Sequence, residues 1–327
     1  MNKIVKTIKY SAILLLFPLL SQADEATFYS LQVKALPIAE QKQGLELYET
    51  LKQTGYLVYY YSAEVDGKEW LRIRVGHFSN KEQAKQTGEA MKKTKGIGYF
   101  IDKAELFVDH YQNQLEVITS PSAIWLKTAN QTKEIYHFNG FNGLDLIKHT
   151  QAIISPSGKE IVFYYDHQLL RLEIDSGKSQ TLTKDGLLDS QPAWSADGKY
   201  IGYLDYSEWE TPTSLCIIAV ETAQNTCLVK NNEKTQKAVK SFYWHPRKNL
   251  LFFVEGPAYG TVSVGGNLYS VDLKGHRKEM VTAKEDHQEE VATKFSIKND
   301  TITYTVVQFD KAYTKPTTST THQIKIE

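Results

Sequence analysis

A motif that recurs every 40 to 51 residues along the second half of the chain constrains the fold more than any other feature. Each copy is an apolar strand, a tight turn of the Ser-Ala-Asp-Gly-Lys type and a second apolar strand, anchored at Ser155, Ser195, His245 and Ser296. The surrounding residues show short apolar runs between turn residues and no convincing helical periodicity. A repeat of this length, built from short strands, is typical of β-propeller blades. We therefore predict an all-β propeller of about four to five blades over residues 123–327.

The turns between the second and third strands of each repeat are the longest. In an antiparallel meander these turns lie at the same end as the links between blades. They cover residues 206–214, 256–266 and 309–321 and carry aromatic residues. Long loops on a rigid scaffold commonly bind partners, although insertions merely tolerated at that end would give the same pattern. The predicted partner-binding residues are Tyr206, Trp209, Tyr259 and Tyr313.

The two cysteines fall in one predicted hairpin, over residues 215–228. Cys216 and Cys227 could face each other across its strands, and an exported chain favours a disulfide over two free thiols. Two ligands are too few for a metal site. We expect a disulfide, no metal and no cofactor.

Residues 26–107 alternate strands with helices instead. A strand over 28–33 precedes a helical pattern that ends at Gly55, and two further strands are joined by Asp66-Gly67, a hairpin signal. Ser79 and Glu82 form a capping box before a second helix, and a last strand follows over 97–101. The predicted order is βαββαβ, a four-stranded antiparallel sheet with two helices on one face. The fold class is therefore α+β followed by all-β.

The strand over 70–78 sorts its side chains onto two faces. Leu71, Ile73 and Val75 point one way, as a sheet needs in order to sit on helices, whereas Trp70, Arg72 and Arg74 point to the open face. An indole beside two guanidiniums suits stacking and anion recognition, and the best candidate ligand is an anionic sugar polymer. A half-solvated strand that happens to carry two arginines is the alternative.

Residues 27–106 resemble the SPOR domain, a family that binds peptidoglycan. The resemblance rests on Tyr29-Ser30-Leu31-Gln32-Val33, on the Trp70–Phe78 strand and on the following Ser79-Asn80-Lys81-Glu82-Gln83-Ala84. It implies binding of glycan strands that lack stem peptides, at division septa. The site residues that it implies are Ser30 and Gln32 for sugar hydroxyls, Trp70 for sugar rings, and Arg72 and Arg74 for the lactyl carboxylates. The sequence departs from the family pattern at Lys34, Leu36 and His77, which stand in place of Gly, Phe and Pro.

The repeat turns of the second domain resemble the TolB-type, or WD40-like, propeller repeat. The likeness is good at Ser155-Pro156-Ser157-Gly158-Lys159 and at Ser195-Ala196-Asp197-Gly198-Lys199, and weaker in the later copies. It implies a protein-binding domain, and the two domains are predicted to be joined by a linker over residues 108–122.

The first 23 residues have the pattern of a secretory signal peptide: three lysines, an apolar run too short to span a bilayer, and Ser21-Gln22-Ala23 at the cleavage site. Cleavage after Ala23 would remove Lys3, Lys6 and Lys9 from the 38 basic residues and leave 35, against 38 acidic residues. A net charge near zero argues against nucleic acid as a partner. We expect a periplasmic protein with no transmembrane segment after cleavage.

No metalloprotease helix, nucleophile elbow or phosphate-binding glycine loop occurs in the sequence. The hypothesis is therefore a non-catalytic cell-wall adaptor: the first domain binds peptidoglycan and the propeller binds an envelope protein. One alternative is a wall-localised enzyme or regulator whose propeller binds or processes a glycan or peptide. Another is a degenerate SPOR-like domain that mediates assembly without binding glycan.

Overall fold

The computed structural model describes residues 27–104, 106–112, 115–140, 142–143, 150–183, 191–205, 211–259, 265–283, 288–298 and 300–326. The predicted signal peptide and two predicted partner-binding residues, Tyr206 and Trp209, lie outside these ranges. No helix in the described ranges is both long and apolar enough to cross a membrane.

The N-terminal domain has the predicted βαββαβ order. Its elements are β1 (Tyr29–Pro37), a short 3-10 turn (Ile38–Glu40), α1 (Gln41–Lys52), β2 (Val58–Val65), β3 (Lys68–Phe78), α2 (Lys81–Lys95) and β4 (Phe100–Lys103). The four strands form one sheet in the order β2-β3-β1-β4, with every neighbour antiparallel. Both helices pack on the same face of this sheet.

The core of this domain follows from the alternation in β3. Leu71, Ile73 and Val75 are fully buried and pack with Tyr48 of α1 and Met91 of α2, among others. The start of α2 differs from the prediction by one residue. Asn80 is the N-cap, and its Oδ1 accepts the backbone N–H of Gln83 at 2.9 Å, because an Asx side chain reaches this donor as well as serine does.

Five consecutive β-units follow, and the predicted fold class is confirmed. The first has strands β5 (Phe107–Tyr111), β6 (Leu115–Thr119), β7 (Ala123–Thr128) and β8 (Thr132–His137), and the second has β9 (Ile153–Ile154), β10 (Glu160–Tyr165), β11 (Gln168–Glu173) and β12 (Ser179–Thr181). The third has β13 (Ala193–Trp194), β14 (Tyr200–Asp205), β15 (Ser214–Ala219) and β16 (Gln224–Val229). The fourth has β17 (Lys237–Trp244), β18 (Leu250–Pro257), β19 (Gly265–Asp272) and β20 (Arg277–Val281). The fifth has β21 (Glu289–Ala292), β22 (Ser296–Lys298), β23 (Thr301–Phe309) and β24 (Pro316–Lys325).

Each unit stacks on the next through a hydrophobic cluster. Val117 and Ile124 of the first unit pack with Ile161 and Phe163 of the second, and comparable clusters join the second to the third, the third to the fourth and the fourth to the fifth. The fourth and fifth units are also joined by pairing of β19 with β21. Face-to-face stacking of successive β-units is blade packing, and we call these units blades 1 to 5. In blade 5, β21 and β22 both pair with β23 on the side away from β24, so together they occupy the position of one strand.

The segment expected to be a linker, residues 108–122, is structured. It forms most of β5 and all of β6, so the propeller begins at Phe107. The sequence pattern hides β6 because both of its faces are covered: Val117 packs toward blade 2 and Ile118 packs toward the N-terminal domain. A strand that is buried on both faces loses the polar-apolar alternation by which strands are recognised.

Two of the predicted long loops are shorter than expected. In blade 4, β18 continues to Pro257 and β19 begins at Gly265. In blade 5, β23 ends at Phe309 and β24 begins at Pro316, so the turn between them covers only residues 310–315. The run Thr317–Thr321 is polar, as loops commonly are, but it forms an edge strand that pairs with β23. Its residues are all exposed, and an edge strand with both faces in solvent does not need apolar side chains.

Cys216 of β15 and Cys227 of β16 are direct register partners in blade 3. They form a disulfide, with Cα atoms 3.8 Å apart.

Candidate functional site

The five predicted glycan-binding residues all lie on the sheet face opposite the helices. Leu31 and the apolar residues of β3 point into the helix-side core, so Ser30, Gln32, Trp70, Arg72 and Arg74 point away from it. Gln32 pairs with Arg74 on one side and with Phe100 of β4 on the other. The structure therefore places these residues together and adds β4 to the face.

Arg74 is committed to contacts inside the domain. Its residue is only 4% exposed, and its Nη2 lies 2.6 Å from Asp102 Oδ2. Nη1 donates to Lys103 O at 3.0 Å and to Ser30 Oγ at 3.2 Å. Burial opposes ionisation of Asp102, but the hydrogen bond from Arg74 holds the pKa of this carboxyl below its ordinary value. Arg74 thus ties β3 to β4 across β1, and Ser30, which is fully buried, belongs to the same network.

Of the two predicted arginines, Arg72 is the available one. Its side chain is half-buried, and within the described part of the chain its guanidinium makes no hydrogen bond or ion pair. Trp70 and Gln32 are also half-buried, and Phe100 is 64% exposed. A guanidinium, an amide and two aromatic rings on one surface suit an anionic sugar chain, since the rings can stack on sugars and the guanidinium can pair with carboxylates.

Phe100 is not among the glycan-binding residues predicted from the sequence. It falls at the start of the short β4 and is flanked by residues that give no clear alternation. Its position opposite Gln32 in the register is the signal that identifies it.

Blade 1 covers the other half of the same face. Tyr59 and Tyr61 of β2 are register partners of Arg74 and Arg72, and are 0% and 2% exposed. They are buried in one hydrophobic cluster with the blade 1 residues Ile118, Ala123 and Trp125. The face therefore has an open half, which holds Gln32, Trp70, Arg72 and Phe100, and a covered half, over β2.

Polar contacts hold blade 1 along the free edge of β2. The backbone N–H of Tyr60 donates to Ser122 Oγ at 3.2 Å, and that of Ser62 donates to the carbonyl of Asn142 at 3.0 Å. Because β2 is the edge strand of its sheet, these contacts satisfy amides that would otherwise face solvent. The two domains are in direct contact here.

A second group of contacts centres on Glu134 of β8. Its carboxylate accepts a hydrogen bond from Tyr48 Oη at 2.5 Å, and lies 3.5 Å from Lys52 Nζ and 3.3 Å from His137 Nδ1. Burial acts to raise the pKa of Glu134, but the hydrogen bonds of His137 and Tyr48, together with Lys52, hold it below its ordinary value. Tyr60 Oη lies 3.1 Å from the other nitrogen of His137, and burial raises the pKa of this phenol to about 12. We call Tyr48, Lys52, Tyr60, Glu134 and His137 the latch.

Several polar atoms at the contact with blade 1 are buried without a hydrogen-bond partner. Within the described residues these are Trp125 Nε1 and both ring nitrogens of His77, and Arg74 Nε is a further such atom inside the N-terminal domain. His77 stacks on Phe28 with ring centroids 3.9 Å apart, and its Nδ1 lies 3.9 Å from Glu116 Oε2 of blade 1. Burial lowers the pKa of His77 to about 4. The contact between the domains therefore has apolar side chains at its centre and leaves these polar atoms without hydrogen bonds.

The propeller carries a separate cavity of about 460 Å³ between blades 3 and 4, lined by β16, by the link to blade 4 and by residues of β17, β18 and β20. Glu255, 3% exposed, lies in its wall and accepts hydrogen bonds from Arg277 Nη2 at 2.6 Å and from Asn231 Nδ2 at 3.1 Å. Lys230 and Lys237 also line the cavity, so cations outnumber carboxylates in it.

The predicted partner-binding tyrosines differ in their surroundings. Tyr259 is 40% exposed, and its hydroxyl donates to Glu233, in the link that also borders the cavity. Tyr313 is half-buried, stacks on Phe309 with centroids 4.8 Å apart and donates to Glu290 at 3.0 Å. Tyr259 therefore presents more of its ring to a partner than Tyr313 does.

Two family models match parts of the chain. Residues 25–101 match the SPOR domain, which confirms the resemblance on which the glycan-binding residues were predicted. Residues 211–324, which hold the end of blade 3 and all of blades 4 and 5, match a domain of unknown function, DUF4652. No curated protein matches the chain.

Solved structures with a similar fold include two TolB proteins. A putative TolB from Agrobacterium tumefaciens is 12% identical with a TM-score of 0.43, over 69% of this chain and 85% of that one. TolB from Acinetobacter baumannii is 11% identical with a TM-score of 0.38, over 78% of this chain and 77% of that one. A putative conserved lipoprotein from Clostridium novyi is 20% identical with a TM-score of 0.40, over 45% of this chain and 92% of that one.

Proposed function

We propose that this chain, whose N-terminal domain matches the SPOR family, is a non-catalytic cell-wall adaptor of the periplasm. Its SPOR domain binds peptidoglycan glycan strands and its propeller binds an envelope protein. The observation that carries glycan binding is Arg72, which has no ion-pair partner among the described residues and shares a surface with Trp70, Gln32 and the exposed ring of Phe100.

The chemistry of the open face favours strands that lack stem peptides. Removal of a peptide from muramic acid exposes a lactyl carboxylate, which repeats along the strand, and Arg72 can pair with such a group through two parallel hydrogen bonds. Since Arg74 is already paired with Asp102, Arg72 carries the anion recognition. Such strands occur where the septal wall is split, and enrichment of the protein at the division septum follows from the same preference.

The propeller would bind its partner at the end that carries Tyr259. The neighbouring cavity is lined by Lys230, Lys237 and Arg277 around a single carboxylate, Glu255, which pairs with Arg277, so an acidic side chain of the partner is the anchor that the remaining positive charge suits. An exposed aromatic ring next to a polar pocket is a common composition for a protein-binding surface.

Co-sedimentation of the chain from residue 24 with purified sacculi, before and after amidase treatment, tests glycan binding. Wild type should pellet more strongly with treated sacculi, and Arg72→Ala should weaken binding about tenfold or more, the loss expected for one charge-assisted hydrogen bond. Lys85→Ala is the matched control, because it removes an exposed cation from α2, on the other side of the sheet. Equal pelleting of wild type and Arg72→Ala would contradict the assigned role of Arg72.

A photo-cross-linking residue at position 259, compared with one at the exposed position 159, tests whether the propeller binds a protein partner at this end. Position 159 lies in a turn at the opposite end of the blades. An adduct that forms in cells at 259 and not at 159 is the expected result, and equal adducts at both positions would contradict it.

A further inference from the structure

The face that carries Arg72 extends beyond its open half. Tyr59 and Tyr61 continue the aromatic surface of Trp70 along the neighbouring strand, and Tyr61 lies directly beside Arg72 in the register. Both rings are inaccessible because Ile118, Ala123 and Trp125 of blade 1 pack on them. A glycan strand that lay across the whole sheet would occupy the space now filled by blade 1.

We propose that blade 1 is a movable cover over the glycan-binding face, and that the structure is the closed state of a chain that binds glycan strands more tightly once the cover has opened. This inference rests on the proposed function. It adds that the propeller regulates the site by occupying half of it.

The composition of the covered surface supports a contact that opens. A permanent domain core satisfies its polar atoms, whereas in the described part of the chain Trp125 Nε1 and both ring nitrogens of His77 are buried at this contact without a hydrogen-bond partner. Opening would return these atoms to water or to sugar hydroxyls, and this gain offsets part of the loss of apolar contact. The closed and open states are therefore closer in free energy than the apolar cluster alone would suggest.

The latch supplies specific contacts that favour the closed state. Glu134 takes contacts from Tyr48 and Lys52 of the SPOR domain and holds His137 next to Tyr60. All of these residues lie beside the sheet, outside the open half of the face. A change in the latch can therefore alter the closed-to-open balance without touching a glycan-binding residue. A ligand that binds the open state better shifts the balance by its difference in affinity.

Glu134→Gln in the full chain tests the cover. It leaves the side chain almost the same size and weakens the contacts to Lys52, Tyr48 and His137, so more of the chain should be open and binding to amidase-treated sacculi should tighten about five- to tenfold. Glu160→Gln is the matched control, because it weakens an equivalent ion pair, to Arg171, inside the propeller. The control should bind as wild type does.

Hydrogen exchange on the wild-type chain gives a second measurement. The amides of Tyr60 and Ser62 are protected by Ser122 and Asn142 in the closed state, so soluble glycan strands without stem peptides should speed exchange over residues 58–63 and 117–125.

The outcomes separate the two proposals. Tighter binding of Glu134→Gln, with faster exchange of wild type on glycan addition, supports the cover. Pelleting that is equal in wild type and Glu134→Gln, with unchanged exchange, overturns the cover and leaves glycan binding intact. Absence of binding in wild type, restored by Glu134→Gln, supports the cover in its strongest form. Absence in both chains overturns glycan binding, and the cover with it.

Discussion

Replacement of His77 by phenylalanine should make the free energy of unfolding fall less between pH 7.5 and pH 5 than it does in wild type. The side chain of His77 is 5% exposed and has Phe28 against its ring, with Glu116, Lys127 and His110 of blade 1 around it. Burial, aided by Lys127 and His110 and opposed by Glu116, lowers its pKa from 6.5 to about 4. The ring is therefore neutral in the folded protein over a range where the unfolded chain binds a proton.

The sign and size of the effect follow from this difference. A folded-state pKa below the unfolded value means that the stability is fully present above pH 6.5 and is lost as the pH falls toward 4. The complete loss corresponds to about 3 kcal/mol. Between pH 7.5 and pH 5 the loss attributable to His77 is about 2 kcal/mol.

Urea unfolding followed by tryptophan fluorescence, at pH 7.5 and at pH 5, measures this loss in wild type and in His77→Phe. Phenylalanine keeps the ring against Phe28 and removes two unpartnered nitrogens, so the variant should be at least as stable as wild type at pH 7.5. The free energy of unfolding should then fall about 2 kcal/mol less on acidification than it does in wild type. His322→Gln, at an exposed position of β24, is the control and should behave as wild type. An identical pH dependence in wild type and His77→Phe would contradict the role of the buried His77 ring in the loss of stability at low pH.

Three further predictions concern single positions. Arg74→Ala should lower the free energy of unfolding by about 2 kcal/mol, because it removes the ion pair to Asp102 and one of the two hydrogen bonds of Ser30 Oγ, while Arg72→Ala should leave it within about 0.5 kcal/mol; equal losses in urea titrations would contradict the different roles of the two arginines. Phe100→Ala should weaken binding to amidase-treated sacculi by about tenfold with no loss of thermal stability, since the ring is 64% exposed, and unchanged binding would remove Phe100 from the site. Cys216→Ala with Cys227→Ala should cost about 2–3 kcal/mol, because the disulfide closes a loop with a sequence separation of 11, and a non-reducing urea titration with no change would contradict that cost.

The two arginines of β3 show how far the sequence could predict the site. Alternation placed Arg72 and Arg74 on one face, as the structure has them, because the two-residue period of a strand is a local property. The sequence could not tell them apart. Asp102, which pairs with Arg74, lies 28 residues further along the chain, and only the pairing of β1 with both β3 and β4 brings the two together.

Burial of Tyr59 and Tyr61 also depends on contacts between distant segments. Tyr59 and Tyr61 are placed on the arginine-bearing face by their own strand, but whether such a face meets solvent depends on what packs against it. Ile118, one of the residues that cover these tyrosines, lies on β6 in the segment predicted as a linker. Ala123 and Trp125 lie on β7, in the predicted propeller, but nothing in their sequence indicated that this strand would pack on the N-terminal domain.

Four features could be predicted from the residues alone: the order of elements in the SPOR domain, the face of β3 that carries the cations, the repeated units of the propeller and the pairing of Cys216 with Cys227 in one hairpin. These features depend on neighbours within a few residues or on a repeated period. The folded chain was needed to show which arginine is available, that Phe100 belongs to the site and that blade 1 lies over Tyr59 and Tyr61. Each of these depends on contacts between segments distant in the chain, and chain folding alone sets which distant side chains meet.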